Sequence, residues 1–189
     1  MSLLEQLKNS RSKLKPSETV VTYQNGEKFV EIKSVIRKID EKSPGYVVDT
    51  KPDSIPAQII ENLFLGSQDC CDNGVLDLND ITNVLSVGVE APIKYPNITY
   101  KFVEILDLPD TNLNQYLENC ISFIQTILDK GEKVLVHCNA GVSRSASVVI
   151  AYLILKRNFS FEKAYETVKM SRSCIRPNDG FMSQLKLLS

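Results

Sequence analysis

Cys138 and Arg144 are separated by five residues, Asn139, Ala140, Gly141, Val142 and Ser143, and are followed at once by Ser145. These residue types suit nucleophilic attack on a phosphate monoester. A thiolate is a strong nucleophile, and a helix N-terminus with a neighbouring arginine favours thiolate over thiol. A planar guanidinium grips two oxygens of a phosphoryl group at once, which lysine does not do. A loop of small residues running into a helix aims main-chain N–H groups at one point, where the helix dipole adds positive potential. The N–H groups of Asn139 to Arg144 are therefore expected to hold the remaining oxygens. Ser145 can donate its hydroxyl to the sulfur and help it leave in a second step. The departing oxygen of the substrate needs a proton. Asp107 and Asp110 are the candidate acids, and spacing alone does not choose between them.

His137 is the only histidine in the chain. A cysteine-protease mechanism needs a histidine facing its cysteine as base. Adjacent residues at a strand end point to opposite sides, so His137 cannot easily serve Cys138 that way. Its expected role is to hydrogen-bond backbone and keep the loop in shape.

Three kinds of element must place these groups. Val134 to Val136 is β-branched and aliphatic, as a buried strand should be, and residues 143–155, within a helix expected over 143–157, are apolar almost all round, as a buried helix should be. Upstream, strands are expected at 59–60, at 63–65 closed by Gly66, at 82–87 closed by Gly88, and at 99–106. A short helix and loop fill 68–80. Leu113, Leu117, Cys120, Ile121, Ile124, Ile127 and Leu128 follow helical spacing, with Gly131 as the stop. A further helix begins after Ser160, a suitable N-cap, and a last short one carries Phe181, Leu185 and Leu188. Strands alternating with helices indicate an α/β fold with a mostly parallel central sheet flanked by helices on both faces. The loop holding the two aspartates and the loop holding Cys138 then overhang the same sheet edge.

Residues 1–53 have a different texture and read as an N-terminal arm, leaving 54–189 as the catalytic domain. Leu3, Leu4, Leu7 and Leu14 suggest a short amphipathic helix. Thr19 to Ile32, with Asn25 and Gly26 at its centre, predicts a β-hairpin. The charged run Lys33 to Lys42 and the Pro- and Gly-containing stretch after it read as a linker.

The string from His137 to Ala146 resembles the signature of cysteine-dependent protein phosphatases, in their dual-specificity branch. Ile60 to Gln68 resembles the opening strand of that family, and Arg176 to Leu185 resembles its close. The arm, with its hairpin and Gly45 to Asp49, resembles the members that regulate stress-activated kinase pathways. The resemblance implies a phosphotyrosine-phosphatase-like fold and hydrolysis of phosphotyrosine and phosphoserine/threonine through a cysteinyl-phosphate, without a cofactor. It places the acid directly after the strand, which selects Asp107. It assigns Asn178 to bracing the phosphate loop and Arg172 to a second, shallower anionic pocket. It implies phosphoprotein partners: a MAP kinase, or an upstream kinase or scaffold. Lys33 to Ile39, basic residues interleaved with Val35, Ile36 and Ile39, resembles a kinase-docking motif. Lipid phosphatases of the family carry lysines inside the loop, whereas Asn139 to Ser143 is neutral, which favours a phosphoprotein. The alternative reading is a catalytically weak phosphopeptide-binding or scaffold protein of the same fold.

Composition sets aside other classes. A net charge of −1 does not suggest nucleic acid as a partner. No stretch approaches the ~18 continuous apolar residues of a membrane span, and neither a leader nor a lipid anchor is expected from the first residues. One histidine and five cysteines without ligand spacing give no structural metal site. The odd cysteine count favours free thiols in the cytoplasm or nucleus.

Overall fold

The computed structural model describes residues 19–23, 27–32, 35–42 and 52–189. Contacts divide the chain into two compact units, Met1–Gly45 and Tyr46–Ser189. In the first, β1 (Thr19–Thr22), β2 (Glu27–Ile32) and β3 (Val35–Lys42) form an antiparallel sheet in that order. The two strands of the expected hairpin pair Val20 with Val30 and Val21 with Phe29. The Asn25–Gly26 turn and the leucine-rich helix lie outside the described residues. The linker reading of Lys33 to Lys42 is corrected: Val35–Lys42 is a strand, with Ile36 opposite Glu31 and Arg37 opposite Val30. Val35, Ile36 and Ile39 supply its β-branched residues, and Lys38 finds a cross-strand partner in Glu27.

The second unit holds a five-stranded sheet. Its strands are β4 (Ala57–Ile60), β5 (Leu63–Gly66), β6 (Asn83–Val87), β7 (Thr99–Val103) and β8 (Val134–His137). The order is β4-β5-β8-β6-β7, antiparallel only between β4 and β5. The helices are α1 (Asn73–Leu78), α2 (Asn114–Asp129), α3 (Arg144–Arg157), α4 (Phe161–Ser171) and α5 (Asp179–Lys186), with a 3-10 turn at Gln68–Cys71. β7 stops at Val103, short of the expected Leu106, and the chain continues irregularly toward Asp107.

Period-two alternation sorts the strand side chains onto two cores. Leu63, Leu65, Leu85, Val87, Val134 and Val136 pack with α2, α3, α4 and α5. Phe64, Val84 and Leu135 pack on the other side with Cys70, Cys71, Leu76 and Ile81, under the 3-10 turn and α1. The coverage is thus four helices on one face and one on the other. α3 crosses the larger core and is buried from Ser145 through Ile154, which is why its sequence carries no polar stripe. β8 lies at the centre of the sheet, so its C-terminal end presents the following loop between two neighbouring strands.

Candidate active site

The loop leaving β8 is shaped by its carbonyls. Six consecutive ones, from Cys138 to Ser143, accept hydrogen bonds from surrounding groups. His137 Nδ1 meets the Cys138 oxygen at 3.1 Å, and the Gln68 N–H donates to Asn139 at 3.0 Å. Arg172 donates from Nη2 to Ala140 at 2.8 Å and from Nε to Gly141 at 3.0 Å. The Arg176 N–H donates to Val142 at 2.8 Å, and the Ser147 N–H to Ser143 at 2.9 Å. All peptide bonds are trans. A trans peptide whose carbonyl is held outward turns its N–H the opposite way. The N–H groups of residues 139 to 144 therefore face the inside of the loop.

Gly141 is required at the turn of this loop. Its φ is +68°, and a Cβ there would lie 2.5 Å from the Gly66 carbonyl oxygen. The loop runs directly into α3, whose N-cap residue Ser143 makes no capping bond from its side chain. A helix start without a side-chain cap leaves first-turn N–H groups for an oxyanion. Cys138 is buried at the base, and the Ser145 hydroxyl donates to its Sγ over 3.2 Å.

Strand parity separates the histidine from the thiol. Cys138 belongs with the larger core, as Val136 does. His137 lies opposite Ser86 across the β6–β8 ladder, and its Nε2 is 2.7 Å from Ser86 Oγ. Burial pushes its pKa down to about 4, Arg144's charge acts the same way, and the bond to the Cys138 oxygen opposes both. The ring is therefore neutral near pH 7. With Nδ1 facing a carbonyl it carries its proton there, and Nε2 accepts from the Ser86 hydroxyl.

Asp107 Oδ1 accepts hydrogen bonds from Ser143 Oγ and from Asn178 Nδ2, both at 2.7 Å. Its Oδ2 lies 3.7 Å from Arg144 Nε. Asp110 is exposed to solvent. Of the two aspartates, Asp107 is thus the one bonded to the loop. Asn178 is buried, caps α5 by accepting from the Phe181 N–H at 2.9 Å, and donates its own N–H to Ser143 Oγ at 3.1 Å. Gln184 of α5 fixes the rest of the aspartate loop, accepting from the Leu113 N–H and donating to the Thr111 oxygen. Gly88, at φ +73°, is needed because a Cβ would sit 2.3 Å from the Ile105 carbonyl oxygen and 2.7 Å from Arg144 Nη1.

The expected second anionic pocket at Arg172 is corrected. The side chain is 6% exposed and makes five hydrogen bonds, as many as it has donors: to Ala140, Gly141, Ile55 and both carboxylate oxygens of Asp53. Two of its donors hold the loop and the other three hold Asp53 and Ile55. Sequence reasoning missed Ser86, Asp53, Gly88 and Gln184. A signal existed only for Gly88, which was read as a strand end.

All five cysteines are free. Among the described residues no cluster of three or more His, Cys, Asp or Glu is placed to hold a metal ion, and no helix is long and apolar enough to cross a membrane.

The family described as the catalytic domain of dual specificity phosphatases matches residues 63–189. Mouse dual specificity protein phosphatase 19 is 39% identical over 187 residues, covering 94% of this chain and 84% of that protein. The crystal structure of human DUSP28 superposes with a TM-score of 0.68 at 30% identity, covering 75% of this chain and 96% of that one. The human tyrosine phosphatase-like serine/threonine/tyrosine-interacting protein gives a TM-score of 0.64 at 33% identity, over 70% of this chain and 93% of that one. The matched stretch contains the thiol, the loop, the acid loop and most of their braces, and the chain belongs to the dual specificity phosphatase family, as a protein tyrosine and serine/threonine phosphatase.

Proposed function

We propose that Cys138, Arg144, Asp107 and Ser145 carry phosphate transfer to water in two steps. The Cys138 thiolate attacks phosphorus while Asp107 protonates the departing oxygen of tyrosine, serine or threonine, leaving a cysteinyl-phosphate. Water then attacks phosphorus, Asp107 takes its proton, and the S–P bond breaks with the Ser145 hydroxyl donating to the sulfur. The N–H groups of Asn139, Ala140, Gly141, Val142, Ser143 and Arg144, with the Arg144 guanidinium, hold the equatorial oxygens. Removing one such preorganised donor typically costs on the order of 10²–10³ in rate. His137 and Asn178 support the geometry without touching substrate. The observation that carries this reading is the ring of six outward-held carbonyls around a thiol hydrogen-bonded by Ser145.

The substrate is a phosphoprotein. The loop interior between Cys138 and Arg144 holds no side-chain cation, so it matches one phosphate and not several. A MAP kinase of a stress-activated pathway, or its upstream kinase or scaffold, is the partner that the family resemblance supports. The β3 surface, where Val35, Ile36 and Arg37 are exposed, is a contact region for it. The free cysteines support action in the cytoplasm or nucleus.

Substitution Cys138→Ser tests the core of this reading. Turnover of an aryl phosphate is expected to vanish while tungstate binding persists, and rapid acid quench of the unsubstituted enzyme should trap phosphate on Cys138. Retained turnover in the variant would refute the nucleophile assignment. The scaffold alternative would show as phosphopeptide binding by fresh, reduced protein with no turnover at all.

A further inference from the structure

We propose that Asp53 is a positioning residue for the phosphate loop, acting through Arg172. It rests on the loop being the phosphate site. Asp53 lies upstream of the family match, which begins at residue 63. Its carboxylate grips one edge of the guanidinium, Oδ2 to Nη2 at 2.6 Å and Oδ1 to Nη1 at 3.4 Å. The other edge holds the Ala140 and Gly141 carbonyls. Those two peptide units carry the N–H groups of Gly141 and Val142, two of the six donors facing inward.

The clamp is itself held in place. The Ile55 N–H donates to Asp53 Oδ1 at 3.0 Å, and the Asp53 N–H donates to Ser67 Oγ at 3.2 Å. The Asp53 carbonyl accepts from the Ser67 hydroxyl and, at 3.3 Å, from Cys70 Sγ. Ser67 and Cys70 flank Gln68, whose N–H holds the Asn139 carbonyl. Burial acts to raise the Asp53 pKa, but hydrogen bonds from Arg172 and the Ile55 N–H, with the Arg172 charge, outweigh it and hold the carboxyl below its ordinary value. The group is therefore an anion at neutral pH.

Removing this anion leaves a buried guanidinium without its counter-charge. Arg172 must then recruit water or turn, and either movement loosens its hold on Ala140 and Gly141. Gly141, already at φ +68°, offers little resistance to a peptide flip that would turn an N–H away from the phosphate. Asp53 touches neither substrate nor sulfur; its effect is on how many donors are aimed.

The test uses the whole chain with Asp53→Ala, Asp53→Asn and Asp53→Glu. Tungstate affinity is measured by calorimetry in a Cys138→Ser background, and KM and kcat for p-nitrophenyl phosphate in the active protein. For Asp53→Ala, the tungstate Kd and the KM are each expected to rise about tenfold, with Asp53→Glu recovering most of the loss. In an Arg172→Lys background the further effect of Asp53→Ala should shrink to less than about twofold, because both act through one contact. The carboxyl is 41% exposed, so these variants are expected to fold. A Kd unchanged within about twofold, or the same loss for Ala and Glu, would overturn the proposal whatever the melting temperature does. Absence of turnover in the unsubstituted protein, with the tungstate arm behaving as described, would count against the phosphatase mechanism and still support the clamp.

Discussion

Asn178 donates its side-chain amide to Asp107 Oδ1 over 2.7 Å while its own Oδ1 caps α5. One residue therefore sets both the orientation of the Asp107 carboxylate and the start of the last helix. The two roles separate by substitution. Asn178→Ala should lose about 1 kcal/mol of stability with the cap and about tenfold in kcat with the acid's orientation. Asn178→Ser keeps a capping oxygen without the amide donor. It should regain most of the melting temperature but not the rate; recovery of both would mean that the amide bond to Asp107 does not matter.

Asp107→Asn removes the transferable proton and leaves the loop intact. The loss should be greatest for phenyl phosphate, on the order of 10²–10³ in kcat, and much smaller for p-nitrophenyl phosphate, whose leaving oxygen needs little help. Asp110→Asn should stay near the parent for both. A leaving-group-dependent loss at Asp110 instead would reassign the acid.

Ser145→Ala takes away the hydroxyl that donates to Cys138 Sγ. Sulfur then leaves the cysteinyl-phosphate without hydrogen-bond help, so the second step slows more than the first. Pre-steady-state traces should show a burst of phenol close to one equivalent, followed by a slow phase. A proportional slowing of both phases would show that Ser145 acts only on loop structure.

Buried His137 binds its proton less readily when folded, at about 4, than the ordinary imidazole at 6.5. Stability from this group is therefore complete above pH 6.5 and is lost as the pH falls from there toward 4. The full span amounts to about 3 kcal/mol. Urea denaturation between pH 7 and pH 4.5 should show this slope, and His137→Asn should flatten it. Equal slopes in the two proteins would mean that His137 titrates normally. The ring also stays neutral through pH 5–8, so kcat/KM should show no titration step from it there.

The thiol, the arginine and the serine were legible because they are contiguous: one strand, one loop and one helix bring them together. Element order was legible for the same reason, since hydrophobic period reports local structure. The pairings that tune the site span large separations. Ser86 with His137 and Asp53 with Arg172 come from sheet register and from a chain segment folded back under the loop. No local pattern encodes either. The resemblance places Arg172 at an anionic pocket, and nothing local in the sequence shows that this helix-end arginine is buried against the protein. β3 reads as a linker because five of its eight residues are charged and Val35, Ile36 and Ile39 follow no period of two. Spacing does not separate Asp107 from Asp110; the resemblance selects Asp107, and only the fold shows its bonds to Ser143 and Asn178.

β8 acts as a reading frame for the site. Residues along it are assigned to one face or the other by parity, so inserting or deleting a single residue between Leu135 and His137 would exchange the faces of the imidazole and the thiol. The sulfur would then turn to the Ser86 side of the sheet, and the ring to the side of the larger core. A strand only four residues long thus fixes the phase of the whole site.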